Sequence, residues 1–242
     1  MPFILSILLT TAVQTATAPS PAPPTDRQRL QQASNTGELA VVEELLTAHP
    51  EWVDAANEQG VSFMLNALYR QRTEVVQAYA KRRKTFNLFE ASALGRTADI
   101  EAILKKDPAL VKSYSGDNFI ALGLAGFFAQ PEAIRVLLAH GADVNQYAKV
   151  PHVQGLHSAA AGKCVECVRL LLDAGADPNS PQDEGFRALH EAAVNDHRAL
   201  AELLISRGAK ADLKDDRGRT SADMARERGH PEMAAWLESI KP

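Results

Sequence analysis

At 242 residues, with 45% hydrophobic and 23% charged side chains, the chain has the composition of a globular protein that buries a real core. A formal net charge of −4 is too small to point to nucleic acid or an anionic membrane as the main partner. Aromatics are sparse at 6% while alanine and leucine recur, which favours helices over a β-sandwich, and two cysteines are too few for a disulfide framework.

No charged side chain precedes Asp26. The apolar run from Phe3 to Leu9 leads to the small residues Ala16-Thr17-Ala18, and prolines 19, 21, 23 and 24 follow. This pattern predicts a signal peptide over residues 1–18 and a Pro-rich linker over 19–26, hence export to a periplasm or out of the cell. The alternative is a cytoplasmic protein with a disordered leader, since no Lys or Arg stands near Met1. The run is shorter than the roughly 20 apolar residues a membrane span needs, so no stable membrane insertion is expected.

From residue 27 onward the chain repeats itself. Gly141-Ala-Asp-Val-Asn145 and Gly175-Ala-Asp-Pro-Asn179 have a weaker echo at Gly208-Ala-Lys-Ala-Asp212. Gly155-Leu156-His157 is matched by Ala188-Leu189-His190, and each histidine is followed by an alanine pair and then a leucine-rich stretch. Landmarks recurring in one order at one period mark a repeat architecture. One position followed through the period falls at Gly37, Gln71, Gly95, Ala129, Lys163, Asp196 and Gly229. Gln71 and Gly95 stand closer together than the others, so the second unit is cut short, with Lys81-Arg-Arg-Lys84 expected as a solvated turn at the shortened junction. His49-Pro-Glu-Trp-Val-Asp54 and Asp107-Pro-Ala-Leu-Val-Lys112 close the first and third units in place of the Gly-Ala-Asp-x-Asn segment.

These residues resemble the ankyrin-repeat family, here of a bacterial type if the leader is a signal peptide. The resemblance implies an all-α ankyrin-repeat solenoid of about seven helix-turn-helix units with short β-hairpin fingers, covering residues 27–242, with the recurring position as the turn between each unit's two helices and the second unit lacking its finger. Residues 213–242 read as its C-terminal cap, where Arg226, Glu227, Arg228, Glu232 and Glu238 supply a polar outer face. It further implies a non-enzymatic, monomeric module that binds a protein or peptide on its concave surface, with no cofactor and no metal. Matched onto this sequence, the family's binding positions are Phe119, Phe127 and Phe128, then Tyr147 and His152, then Asp183, Glu184, Phe186, Val194 and Asn195. The Phe127-Phe128 pair stands out. The equivalent positions hold Ala161-Gly162 and Val194-Asn195, and exposed aromatics are favoured interface anchors.

His157 and His190 invite a catalytic reading, but the resemblance gives them a structural one, as histidines that bond the neighbouring finger's backbone. His190-Glu191 lacks the second histidine of a zinc-protease motif, since position 194 is valine. Cys164 and Cys167 have the spacing of a redox pair without the βαβ setting of a redox centre. Cys167 stands in an isoleucine slot of the repeat and is expected to pack as a small hydrophobe. Two alternatives stay open at this point: a thiol-based redox-responsive component using that pair, and an enzyme with an unrecognised site.

Overall fold

The computed structural model describes residues 24–149 and 152–240. The expected signal peptide, most of the linker and the last two residues lie outside the described residues. Among the described residues, fourteen α-helices form seven antiparallel pairs: α1 (Asp26–Thr36) with α2 (Leu39–Ala48), α3 (Phe63–Tyr69) with α4 (Thr73–Arg82), α5 (Leu88–Ala93) with α6 (Thr97–Lys106), and α7 (Ala121–Phe127) with α8 (Pro131–Ala139). Then follow α9 (Gly155–Ala161) with α10 (Val165–Asp173), α11 (Ala188–Val194) with α12 (Arg198–Ser206), and α13 (Ser221–Glu227) with α14 (Pro231–Ser239). Asp26, the last residue of the expected linker, opens α1 behind a Thr25 cap.

All seven turn positions are left-handed, with φ from 52° at Asp196 to 92° at Gly37. Four of them carry side chains, at Gln71, Ala129, Lys163 and Asp196, and tolerate a conformation that costs an L-residue roughly 1–2 kcal/mol. The pairs stack into two layers, first helices on one side and second helices on the other. Leu137, Leu171 and Leu204 are fully buried between units, and the alanine pairs Ala159-Ala160 and Ala192-Ala193 are buried in the first-helix layer. Small residues set how closely that layer packs. A side chain at Gly162 would meet the Phe127 carbonyl at 2.3 Å, so α7 and α9 approach to backbone contact there.

The fingers are narrower than hairpins of paired strands. The described residues contain no strand, only isolated bridges between Ala56 and Ser62 and between Tyr147 and Gln154. Each finger is a tight loop closed by a few backbone bonds, as from Ser115 N–H to the Phe119 carbonyl (2.9 Å) and from Asp215 N–H to the Arg219 carbonyl (2.9 Å). Side chains complete the turns: Ser115 Oγ accepts from Phe119 N–H, and Asp215 Oδ1 from Arg217 and Arg219 N–H. Loops this short satisfy their polar backbone locally and leave nothing for a ladder.

The second pair lacks a finger, as its spacing predicts. Only residues 83–87 join α4 to α5, where residues 49–62 and 107–120 join the flanking pairs. Across this junction α3 and α5 approach less closely than other neighbouring first helices. Two features fill the gap. Gly116 lies directly against the backbone of Gln59 and Gly60, leaving no room for a side chain, so the first finger rests on the next one present. Val61, Leu65, Ala93 and Leu124 form a small second core, against which Tyr69, Phe89, Phe119 and Phe128 pack.

The basic run at this junction is not the solvated turn its composition suggests. Lys81 and Lys84 are exposed and Arg82 pairs with Glu43, but the Arg83 side chain is only 6% exposed. Its Nε donates to Asp54 (2.7 Å) and its Nη1 to Glu90 (2.6 Å), whose side chain is wholly buried. Glu90 also accepts from Asn87 N–H and so caps α5. A sequence of charges cannot show that the missing finger leaves a slot for one of them. Arg83→Ala should destabilise the fold by about 3–5 kcal/mol, because it strands a buried carboxylate. Adding Glu90→Gln should recover part of that loss, as read from urea unfolding midpoints. A single variant that unfolds with the parent would remove the pair from its role at the junction.

Candidate functional site: the concave groove

The groove runs along the first helices beneath the fingers. Its walls come from α7, α9 and α11, which present Gly123, Ala161 and Ala188 where larger residues would fill the space. The small residues leave a cavity of about 410 Å³. Phe119, Phe127 and Phe186 surround it, with Leu124 and Val153 adding apolar wall and Tyr69 closing the end nearest the missing finger.

Phe127 and Phe128 end α7 just before the left-handed turn at Ala129, which sends the two rings to different surroundings. Phe128 is half-buried, stacked on Tyr69 at 5.8 Å between ring centres. Phe127 stands edge-on to it at 5.2 Å and is 45% exposed, one of two large exposed hydrophobics among the described residues, with Leu110. Of the residues singled out from sequence, Phe119, Phe127 and Phe186 therefore meet at one cavity and Phe128 backs it.

The others do not line the cavity. Tyr147 and His152 stack at 3.9 Å in their own finger, and Tyr147 Oη donates to the Pro181 carbonyl (3.1 Å). Asp183 accepts from His152 N–H (3.1 Å) and Glu184 pairs with Arg217 (2.9 Å), so both tie finger to finger. Val194 lies at the end of α11, and Asn195 donates to the carboxylate of Glu191 (2.7 Å).

Sequence reasoning missed Tyr69, Asp117, Gln182, Arg187 and Glu191. Tyr69 had a signal: it stands two residues before its turn at Gln71, as Phe127 stands before Ala129. Its hydroxyl is buried without a hydrogen-bond partner. Burial, followed by the charge of Asp117, holds the phenol above its ordinary range, so it remains a neutral donor. Arg187 donates to the carbonyls of Asn179 (3.0 Å), Gly185 (2.7 Å) and Lys214 (2.9 Å) and so braces two fingers.

The two repeat histidines are structural. In His157, Nδ1 accepts from Gln154 N–H (3.1 Å) and Nε2–H donates to the Ser180 carbonyl (2.8 Å). In His190, Nδ1 accepts from Arg187 N–H (3.0 Å) and Nε2–H donates to the Leu213 carbonyl (3.2 Å). This arrangement needs the neutral ring, and burial lowers both pKa values, that of His190 to about 4.

Cys167 is buried in the core at its isoleucine slot. The expectation of a free thiol is corrected, because Cys167 is bonded to Cys164 across the first turn of α10. The helical turn brings residues three apart within reach. A bridge so short joins no two elements and adds little cross-linking.

Stacked helix pairs with fingers along one edge and a groove beneath them define a helical-repeat solenoid. The family model for ankyrin repeats, in three copies, matches residues 156–239. The chain is an ankyrin-repeat protein. Ankyrin repeat and KH domain-containing protein 1 of Homo sapiens is 41% identical over 102 residues, 41% of this chain and 4% of that protein. A transient receptor potential cation channel subfamily A member 1 homolog of Caenorhabditis elegans is 27% identical over 225 residues, 89% of this chain and 18% of its own length. Ankyrin repeat protein nuc-2 of Neurospora crassa is 27% identical over 187 residues, 74% of this chain and 17% of its own. The chain spans less than a fifth of each of these relatives.

A test of the neutral histidines follows from their hydrogen bonds. Unfolded histidine binds a proton below about pH 6.5, whereas folded His190 does so only near pH 4. Its contribution is fully present above about pH 6.5 and is lost as the pH falls toward 4. Unfolding free energy should drop by about 2 kcal/mol between pH 7 and pH 5 from His190 alone. His190→Asn should be less stable at pH 7 but show a shallower decline. Equal slopes in urea titrations of the two proteins would contradict the neutral assignment.

Proposed function

We propose that this chain binds a protein or peptide partner in the concave groove, with Phe127 as the anchor, and catalyses no reaction. Ankyrin repeats are generally protein-interaction modules. The observation that carries the reading here is a phenyl ring left 45% exposed at the lip of an apolar cavity of about 410 Å³. Exposing such a ring forfeits hydrophobic stabilisation, and a partner's apolar surface recovers it. Phe119 and Phe186 give the partner a second and third ring, while Phe128 holds Phe127 in place from behind.

The two adjacent rings should separate by experiment. Phe127→Ala should weaken partner binding about thirtyfold, the loss typical of an interface anchor, with little change in melting temperature. Phe128→Ala should instead cost about 2–3 kcal/mol of stability, as a partly buried ring. The comparison is quantitative capture from the native extract with parent and variant baits, alongside thermal melts. If the Phe127→Ala bait retains the same proteins in the same amounts, the groove is not the docking site.

Export belongs to the same reading: the charge-free leader supports it, and the Cys164–Cys167 bridge is compatible with an oxidising compartment. N-terminal sequencing of protein from its native host should find a start after residue 18. Chains beginning at Met1 or Pro2 would contradict it.

A further inference from the structure

The cavity walls carry more than apolar surface. Two carboxylates line it from different elements, Asp117 from the finger before α7 and Glu191 from α11. Asp117 accepts from Ser115 Oγ (2.5 Å) and Glu191 from Asn195 Nδ2 (2.7 Å), both neutral donors. Neither lies within ion-pair distance of a cation among the described residues, whereas Asp173, Glu184, Asp215 and Glu227 are paired with arginines. The one cation in the wall, Arg187, is engaged by three backbone carbonyls. The Tyr69 hydroxyl is buried behind this wall, beside Asp117, whose charge helps hold the phenol neutral.

Resting on the docking reading above, we propose that the groove recognises a basic segment of its partner, seating arginine side chains whose stems lie against Phe119, Phe127 and Phe186 and whose guanidinium groups meet Asp117 at one end of the cavity and Glu191 at the other. The chemistry selects this occupant over others. A purely apolar side chain would desolvate two carboxylates that have no ion-pair partner, and an acidic one would be repelled by them. An arginine places a methylene stem on the rings, stacks its planar head on an aromatic face and offers a fork of donors to the carboxylate beside it. Residues 1–25 of this chain carry no charge and so lack the feature that the carboxylates select.

The test uses the full chain and a displayed library of random short peptides, with the most enriched peptide synthesised and measured by fluorescence anisotropy. The enriched peptides should share an arginine beside apolar residues. Replacing that arginine by norleucine should weaken binding about tenfold, and Asp117→Asn and Glu191→Gln should each do the same, without lowering the melting temperature. Binding should also weaken with added salt. Peptides that depend on Phe127 but contain no arginine, or tolerate norleucine there, would overturn the arginine assignment and leave the docking reading standing. A library that yields no binder, or peptides indifferent to Phe127→Ala, would overturn both. Displacement of the peptide by a synthetic copy of residues 1–23 at equal concentration, or self-association abolished by Phe127→Ala, would assign the groove to the chain itself and overturn the proposal.

Discussion

The buried ion pair between Arg83 and Glu90 stands where the stack is most open to failure. No helix pair of a solenoid can bury its apolar face alone, so stability depends on unbroken contact from one unit to the next. Deleting a finger opens a slot between α4 and α5, and Arg83 fills it with two carboxylates, Asp54 and Glu90, as partners. Such a pair adds less net stability than its Coulomb attraction suggests, because both charges must leave water. Its value lies in fixing geometry, since neither charge can be buried anywhere else in the junction.

That geometry shapes the groove. With one finger missing, the first finger rests on the next at Gly116, and the widened space between the first helices is filled by aromatic side chains. Tyr69 thereby stacks on Phe128, and Phe128 in turn buttresses Phe127. The exposed ring and the irregular spacing are thus parts of one arrangement. The remaining units keep their period, and there the groove floor is made of small residues, which is why the cavity forms beside the defect and extends toward α11.

Polar groups in the repeats divide into those the fold consumes and those it leaves available. His157, His190 and Arg187 are spent on backbone atoms of the fingers, and their protonation states follow from those bonds. The disulfide within α10 is likewise internal to one turn. Asp117 and Glu191 line the cavity without an ion pair among the described residues, and Arg187 in the same wall is held by backbone carbonyls.

The turn positions were legible in the sequence because each unit repeats the same local problem at the same place. Gly37, Gly95 and Gly229 announce a left-handed residue by themselves, and the period carries the inference to Gln71, Ala129, Lys163 and Asp196, whose own preferences oppose it. The missing finger was legible as an interval, and Phe127 as an aromatic in a slot that other units fill with small or polar residues. What the sequence could not show was which side chains meet across units. Tyr69 and Phe128 are far apart in the chain and come together only because the shortened junction changes how successive pairs stack. Arg83 reads as one more charge in a basic run until the fold places Glu90 beside it. Local backbone preference is written in each residue and its period, whereas burial, pairing and the shape of a cavity belong to the stack, and only the tertiary structure decides them.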